Sequence, residues 1–285
     1  MQRKVNLLAF LLLIFHLMGT QFSFAKESND AKFCSIDLEK RSEYTFKEYI
    51  VKISYAHERM CQHLEIVNRG KVVFHEEGVD THFSLGSDWN GYHQPAMMNM
   101  TGHGTQLVIS KWTGGAHCCM SLLIFELADE FRKIAEIEGG NFDPEIVDLN
   151  HDGIPEIRIT DDFLAYRFSS FASSAQGAVI LKYVNGGYVL AEELMKQAAP
   201  QQSLIEKQIP GWRKALLKGG LEWPPESFIQ ALTDLIFTGN VDQAGEFVNR
   251  IWPRDLAGKD EFLKSYTAAL SGSRYYSKAA KRMTH

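Results

Sequence analysis

Two hydrophobic rhythms divide the chain. From Glu48 to about Leu194 the apolar residues fall in short runs rich in β-branched and aromatic side chains, which fit a pleated, half-buried surface. This pattern predicts strands over 49–55, 63–67, 71–75, 106–112, 120–127, 131–137, 145–148, 156–160, 178–184 and 188–190. Asn68-Arg69-Gly70 and Asn185-Gly186-Gly187 tolerate positive φ and are read as hairpin turns. From Pro200 the apolar spacing changes to three and four, which predicts helices over 203–217, 227–237, 241–251 and 259–270, punctuated by Gly239-Asn240, Pro253 and Gly258. The expected class is α+β. A β-rich antiparallel domain over residues 26–199 precedes a small helical C-terminal region over 200–285, with the boundary near Ala199.

The first 25 residues break both rhythms. Arg3 and Lys4 precede an apolar stretch from Leu7 to Met18, interrupted only by His16, and small residues stand at Ser23 and Ala25. A basic start, a core of about a dozen apolar residues and small residues at the cleavage positions form a secretory signal peptide, with cleavage expected after Ala25. No cysteine follows the apolar run directly, which argues against a lipid anchor. No later stretch approaches the roughly 18 apolar residues of a membrane helix, so no membrane span is expected after cleavage. The expected location is periplasmic or secreted. A chain of 285 residues with 45% hydrophobic content can bury a sizeable core, and its net charge of −5 with scattered basic residues excludes nucleic acid as a partner.

An exported chain changes the reading of its four cysteines, Cys34, Cys61, Cys118 and Cys119. An even count in an oxidising compartment favours disulfides. Adjacent Cys118 and Cys119 point to opposite faces if they lie in a strand, which favours one early cysteine bonding to each. The pairing of Cys34 with Cys61, leaving the neighbours bonded to each other, is the other arrangement, with a strained small ring.

An internal repeat runs through the β region. Residues 99–109, opening Asn99-Met100-Thr101-Gly102-His103-Gly104, are echoed by residues 148–159, opening Asp148-Leu149-Asn150-His151-Asp152-Gly153, with one residue fewer in the first copy before the strand. The repeat length of about fifty residues fits a four-stranded propeller-blade-like unit. In the second copy, oxygen-bearing side chains alternate at Asp148, Asn150 and Asp152, and Gly153 permits a sharp turn. Such a loop can converge on Ca2+, with the Ile154 carbonyl and the Glu156 carboxylate completing the oxygen shell. An EF-hand is excluded, because its last ligand position is Ile159 and strands flank the loop. The competing reading is a tight turn held by Asx hydrogen bonds alone.

At these residues the sequence resembles FG-GAP or VCBS-type repeats, which carry a calcium loop between strands. It also resembles a group of secreted bacterial proteins with a D-x-T-G-D-G loop followed by a G-G-A-H-C-C stretch, here residues 114–119. The resemblance covers roughly residues 99–190 and implies a calcium-braced β scaffold. The first loop departs from the pattern: Asn99, Thr101 and His103 stand where carboxylates are expected, implying that this copy has lost calcium.

Other constellations carry less. His117 beside Cys118 invites a soft metal site or a thiol nucleophile, but an oxidised cysteine does neither. His57-Glu58…Cys61 lacks the second histidine of H-E-x-x-H. His82, His93 and His103, near Asp80 and Asp88, gather titratable groups around a long loop. Asp143, Asp161 and Asp162 offer carboxylates without an identifiable nucleophile. The expectation is a non-catalytic envelope or secreted module, ligand unknown, whose partner is a protein or envelope component. The alternative is a secreted metal-dependent hydrolase using the His82–His103 loop.

Overall fold

The structure is a computed structural model that describes residues 40–56, 61–87, 94–115, 119–200, 202–218 and 223–275. The expected signal peptide, Cys34, Cys118, His57, His93 and His117 lie outside these residues.

Among the described residues thirteen strands form three antiparallel sheets in chain order. The first sheet is a meander of β1 (Lys40–Phe46), β2 (Tyr49–Ala56), β3 (Cys61–Asn68) and β4 (Lys71–Val79). The second contains β5 (His82–Leu85), β6 (Met97–Met98), β7 (Gln106–Trp112), β8 (Met120–Leu127) and β9 (Phe131–Gly140), with both β5 and β6 paired to β7. The third is a meander of β10 (Glu145–Val147), β11 (Glu156–Asp161), β12 (Gly177–Val184) and β13 (Gly187–Leu190). Helices α1 (Glu192–Met195), α2 (Gln202–Leu217), α3 (Glu226–Phe237), α4 (Val241–Ile251) and α5 (Lys259–Ser271) follow. The described chain is thus β-rich, antiparallel and α+β, and no sheet closes into a ring. Among the described residues no helix is long and apolar enough to cross a membrane.

Strand alternation explains how the layers stack. On β7, Leu107 and Ile109 join Tyr49, Val51, Leu64 and Ile66 of the first sheet in one apolar cluster. Val108, from the opposite face of β7, joins Ile157, Ile159 and Val179 of the third sheet in another. Leu123 and Phe125 of β8 divide from Leu122 and Ile124 in the same way. The second sheet is therefore buried on both faces, and each fully buried Leu, Ile or Phe contributes about 1.5–3 kcal/mol. The Tyr49 hydroxyl donates to the Ala128 carbonyl at 2.5 Å, fixing the first sheet to the β8–β9 turn.

The helices extend the second cluster rather than forming a core of their own. Phe228, Leu232, Ile236, Phe247, Phe262 and Tyr266 all belong to it. Gly177 opens β12 directly beneath Phe237: a Cβ there would meet that ring at 2.2 Å, so only glycine admits the close approach. Tyr266, fully buried, shares a 2.8 Å hydrogen bond with the Thr233 hydroxyl, which satisfies both polar groups in an apolar setting.

Candidate metal loop

The two copies of the repeat occupy equivalent places in successive sheets. Each leaves a short strand and enters a longer one: β6 to β7, where Met98 pairs with Gln106, and β10 to β11, where Val147 pairs with Glu156. Over the first six residues their backbones correspond. The fourth and sixth residues have positive φ in both, Gly102 (81°) and Gly104 (71°) in one, His151 (61°) and Gly153 (84°) in the other. A buried side chain at the head of the longer strand accepts from the second loop residue in both: Gln106 Oε1 from Met100 N at 2.8 Å, Glu156 Oε2 from Leu149 N at 2.9 Å. Asx- and Ser/Thr-type turns also correspond, with Thr101 Oγ1 accepting from His103 N and Asn150 Oδ1 from Asp152 N. The loops lie side by side, because a Cβ on Gly102 would reach Ile154 Cδ1 at 2.8 Å.

In the second loop the predicted oxygens gather around one short stretch of backbone. The Asp148 carboxylate accepts from Asp152 N at 3.2 Å and Gly153 N at 3.0 Å, and Asp152 Oδ1 accepts from Ile154 N at 2.7 Å. Asn150 Nδ2 donates to Asp152 Oδ2 at 2.9 Å. Gly153 has open space around it, so its glycine answers to φ and not to crowding.

One difference between the loops is chemical. Gln106 also donates from Nε2 to the His103 carbonyl at 2.8 Å, so the first loop is latched by an amide that both accepts and donates. Glu156, 2% exposed, stands at the same place with two acceptor oxygens and no N–H. Where the first loop has a donor, the second presents a carboxylate oxygen, and a buried carboxylate needs a positive partner.

The remaining predicted residues disperse. His82 stacks on Trp112 at 5.2 Å and its Nδ1 lies 3.4 Å from Gln62 Nε2, on a cleft of about 590 Å3 shared with Tyr44 and Tyr55. His103 contributes main-chain groups to the first loop. Asp161 and Asp162 are divided between partners: Asp161 accepts from Ser273 Oγ at 2.5 Å and from Phe163 N at 3.2 Å, while Asp162 accepts from Asn141 Nδ2. Burial raises the Asp161 carboxyl above the usual range, and the Ser273 and Phe163 donors pull it back in part. Burial alone pushes Asp143 up to about 6. Neither Cys61 nor Cys119 is a free thiol.

Sequence reasoning missed a different cluster. Ligand atoms of His63, His75 and Glu77 lie within 4.8 Å of one another on the first sheet. The predicted hairpin places His63 and His75 on paired strands and stops short of Glu77; a bulge between Ile66 and Val67 shifts the register and brings His63 opposite Glu77 and Glu65 opposite His75. Alternating His and Glu on both arms, His63-x-Glu65 and His75-x-Glu77, was the available signal.

No established family profile matches the chain, and no solved structure matches it. Over 88 residues the chain is 35% identical to a probable thylakoid lumen protein of Synechocystis sp.. The match covers 29% of this chain and 25% of that protein, so the chain spans about a quarter of the length of the relative it matches.

Proposed function

We propose that the chain is an extracytoplasmic, non-catalytic binding module of the FG-GAP/VCBS-like kind, in which Ca2+ braces the loop between β10 and β11. The contrast between Gln106 and Glu156 carries this reading: two loops of matching backbone, one closed by its own amide, the other bearing a carboxylate at the same point. Asp148, Asn150, Asp152, the Ile154 carbonyl and Glu156 would hold the ion, an all-oxygen set of the kind calcium takes. The ion supplies charge neutralisation, and the residues supply the seat.

Placement outside the cytoplasm rests on the leader-like first 25 residues and on the lumenal name of the matched relative, since a lumen is likewise separated from the cytoplasm. Paired cysteines suit that setting, each of Cys34 and Cys61 joining one of Cys118 and Cys119 in this proposal. A hydrolytic reading built on the His82–His103 loop has no observation of its own, because the His82 ring is committed to Trp112 and Gln62.

Thermal melts in calcium and in chelator test the proposal. At calcium about 100 times the Kd, wild type gains about 2.7 kcal/mol, a rise of several degrees in Tm. Glu156→Gln should abolish that rise while leaving the chelated Tm unchanged or higher, because glutamine latches the loop as Gln106 does. Asp148→Ala should lose both the rise and basal stability, since two amides lose their acceptor. A wild-type Tm indifferent to chelator would sink the calcium brace.

A further inference from the structure

The outer face of the first sheet carries two polar rungs that no part of the calcium loop uses. Register places Arg41, Ser54, His63 and Glu77 in one row and Glu43, Lys52, Glu65 and His75 in the next. Their strand neighbours Leu64 and Ile66 point the other way, into the core. The two histidines and two glutamates form a checkerboard of cross-strand pairs.

Glu77 is the centre of that checkerboard. Its Oε2 lies 3.1 Å from His63 Nδ1 and 3.4 Å from His75 Nε2, and the two imidazole centroids are 5.9 Å apart. In a tetrahedral zinc site with bonds of about 2.0–2.2 Å, neighbouring ligand atoms stand roughly 3.3–3.5 Å apart. Of the two edges that share the Glu77 oxygen, the one to His75 already has that length and the one to His63, at 3.1 Å, is slightly shorter. The third, between the histidines, lies within 4.8 Å and closes by turning the His75 ring, whose side chain is 44% exposed.

Glu65 has the position of an orienting partner. Its Oε1 faces His75 Nδ1 at 3.9 Å, on the side of the ring away from Glu77, and Arg41 stands 4.0 Å from its other oxygen. A carboxylate on one imidazole nitrogen directs the other toward a metal and raises its basicity. Glu77 has as ion-pair partners two histidines, which are cationic only when protonated, so a dication adds a fixed positive charge beside it. Two imidazoles and a carboxylate suit a divalent transition metal, whereas calcium takes oxygen.

We propose that His63, His75 and Glu77 form a divalent transition-metal site of zinc type, positioned by Glu65 and open to solvent at its fourth coordination position. It is separate from the calcium loop in residues and in ligand chemistry, and stands or falls independently of it.

Zinc titration by calorimetry into the tag-free full chain, with calcium present in excess, tests the site. One equivalent should bind. Affinity should fall at least tenfold in His75→Ala and in Glu77→Gln, and about tenfold in Glu65→Gln, the range known for outer-shell carboxylates. These side chains are partly exposed, so the variants should keep the wild-type circular dichroism spectrum. Should one of them misfold, His75→Gln provides the same test. Co2+ in place of Zn2+ should give the intense visible absorption of a tetrahedral site. No saturable binding, or affinity unchanged in the His63→Ala/His75→Ala double variant, would overturn the assignment and leave the cluster as surface ion pairs.

Discussion

Asp143 shows how one carboxyl can oppose the fold that contains it. Its Oδ1 is buried without a hydrogen-bond partner among the described groups, and desolvation lifts its pKa to about 6. The folded pKa exceeds the unfolded value of about 3.9, so the native state holds the proton more tightly. The resulting stabilisation is present below about pH 4 and is lost as pH rises through 6. Allowing for partial exposure, the ionised form costs folding about 1–2 kcal/mol at pH 7. Asp143→Asn should therefore raise the urea midpoint at pH 7 and leave it nearly unchanged at pH 3.5. An equal gain at both pH values would show that ionisation is not the cause. At this scale the turn from Asp148 to Gly153 was legible, because its side-chain spacing is local and a turn glycine marks it. The His63, His75 and Glu77 cluster was not, because a two-residue turn at Arg69-Gly70 without a bulge would pair Glu76, rather than Glu77, with His63.

Among the elements, the contact between β12 and α3 is the least forgiving. Gly177→Ala drives a methyl into the Phe237 ring and should destabilise by about 1–3 kcal/mol in denaturant melts. Gly245→Ala, inside α4 with nothing within 4 Å, should instead gain about 0.5–1 kcal/mol. Equal effects at the two glycines would remove the close approach as an explanation. Helices α2 to α5 were legible to within a residue or two because of apolar stripes such as that of α4, which buries Val241, Ala244, Phe247, Val248 and Ile251, whereas the single turn of α1 was not. Strand β1 escaped notice because Arg41, Glu43 and Thr45 are exposed on an edge, where charge blocks further pairing and dilutes the apolar alternation. Strand β6, two residues long, falls below the length at which period two can be recognised, and β5, four residues long, sits at that limit. Strand β4 runs on to Val79, beyond the expected end at His75, because Glu76, Glu77 and Gly78 carry no β-branched or aromatic side chain, while cross-strand pairing with β3 keeps them extended.

At the scale of the whole molecule the order of layers is first sheet, second sheet, third sheet, helices. Sequence shows where the helical rhythm begins near residue 200, but not that its apolar stripes complete the core begun by the third sheet, since that depends on contacts between distant segments. A chain ended at Ala199 should consequently lose cooperative unfolding and bind a hydrophobic dye such as ANS, because Ile180, Leu181 and Met195 lose apolar neighbours. A truncated protein with a sharp melt and no dye binding would make the helices a dispensable appendage.

The neighbouring loops are also tied to each other. Gly102 leaves a hollow that the Ile154 methyl occupies, so the loop without carboxylates serves as the wall against which its partner is shaped. A side chain planted at residue 102 would press on the Ile154 side chain and so disturb the neighbouring turn from outside it.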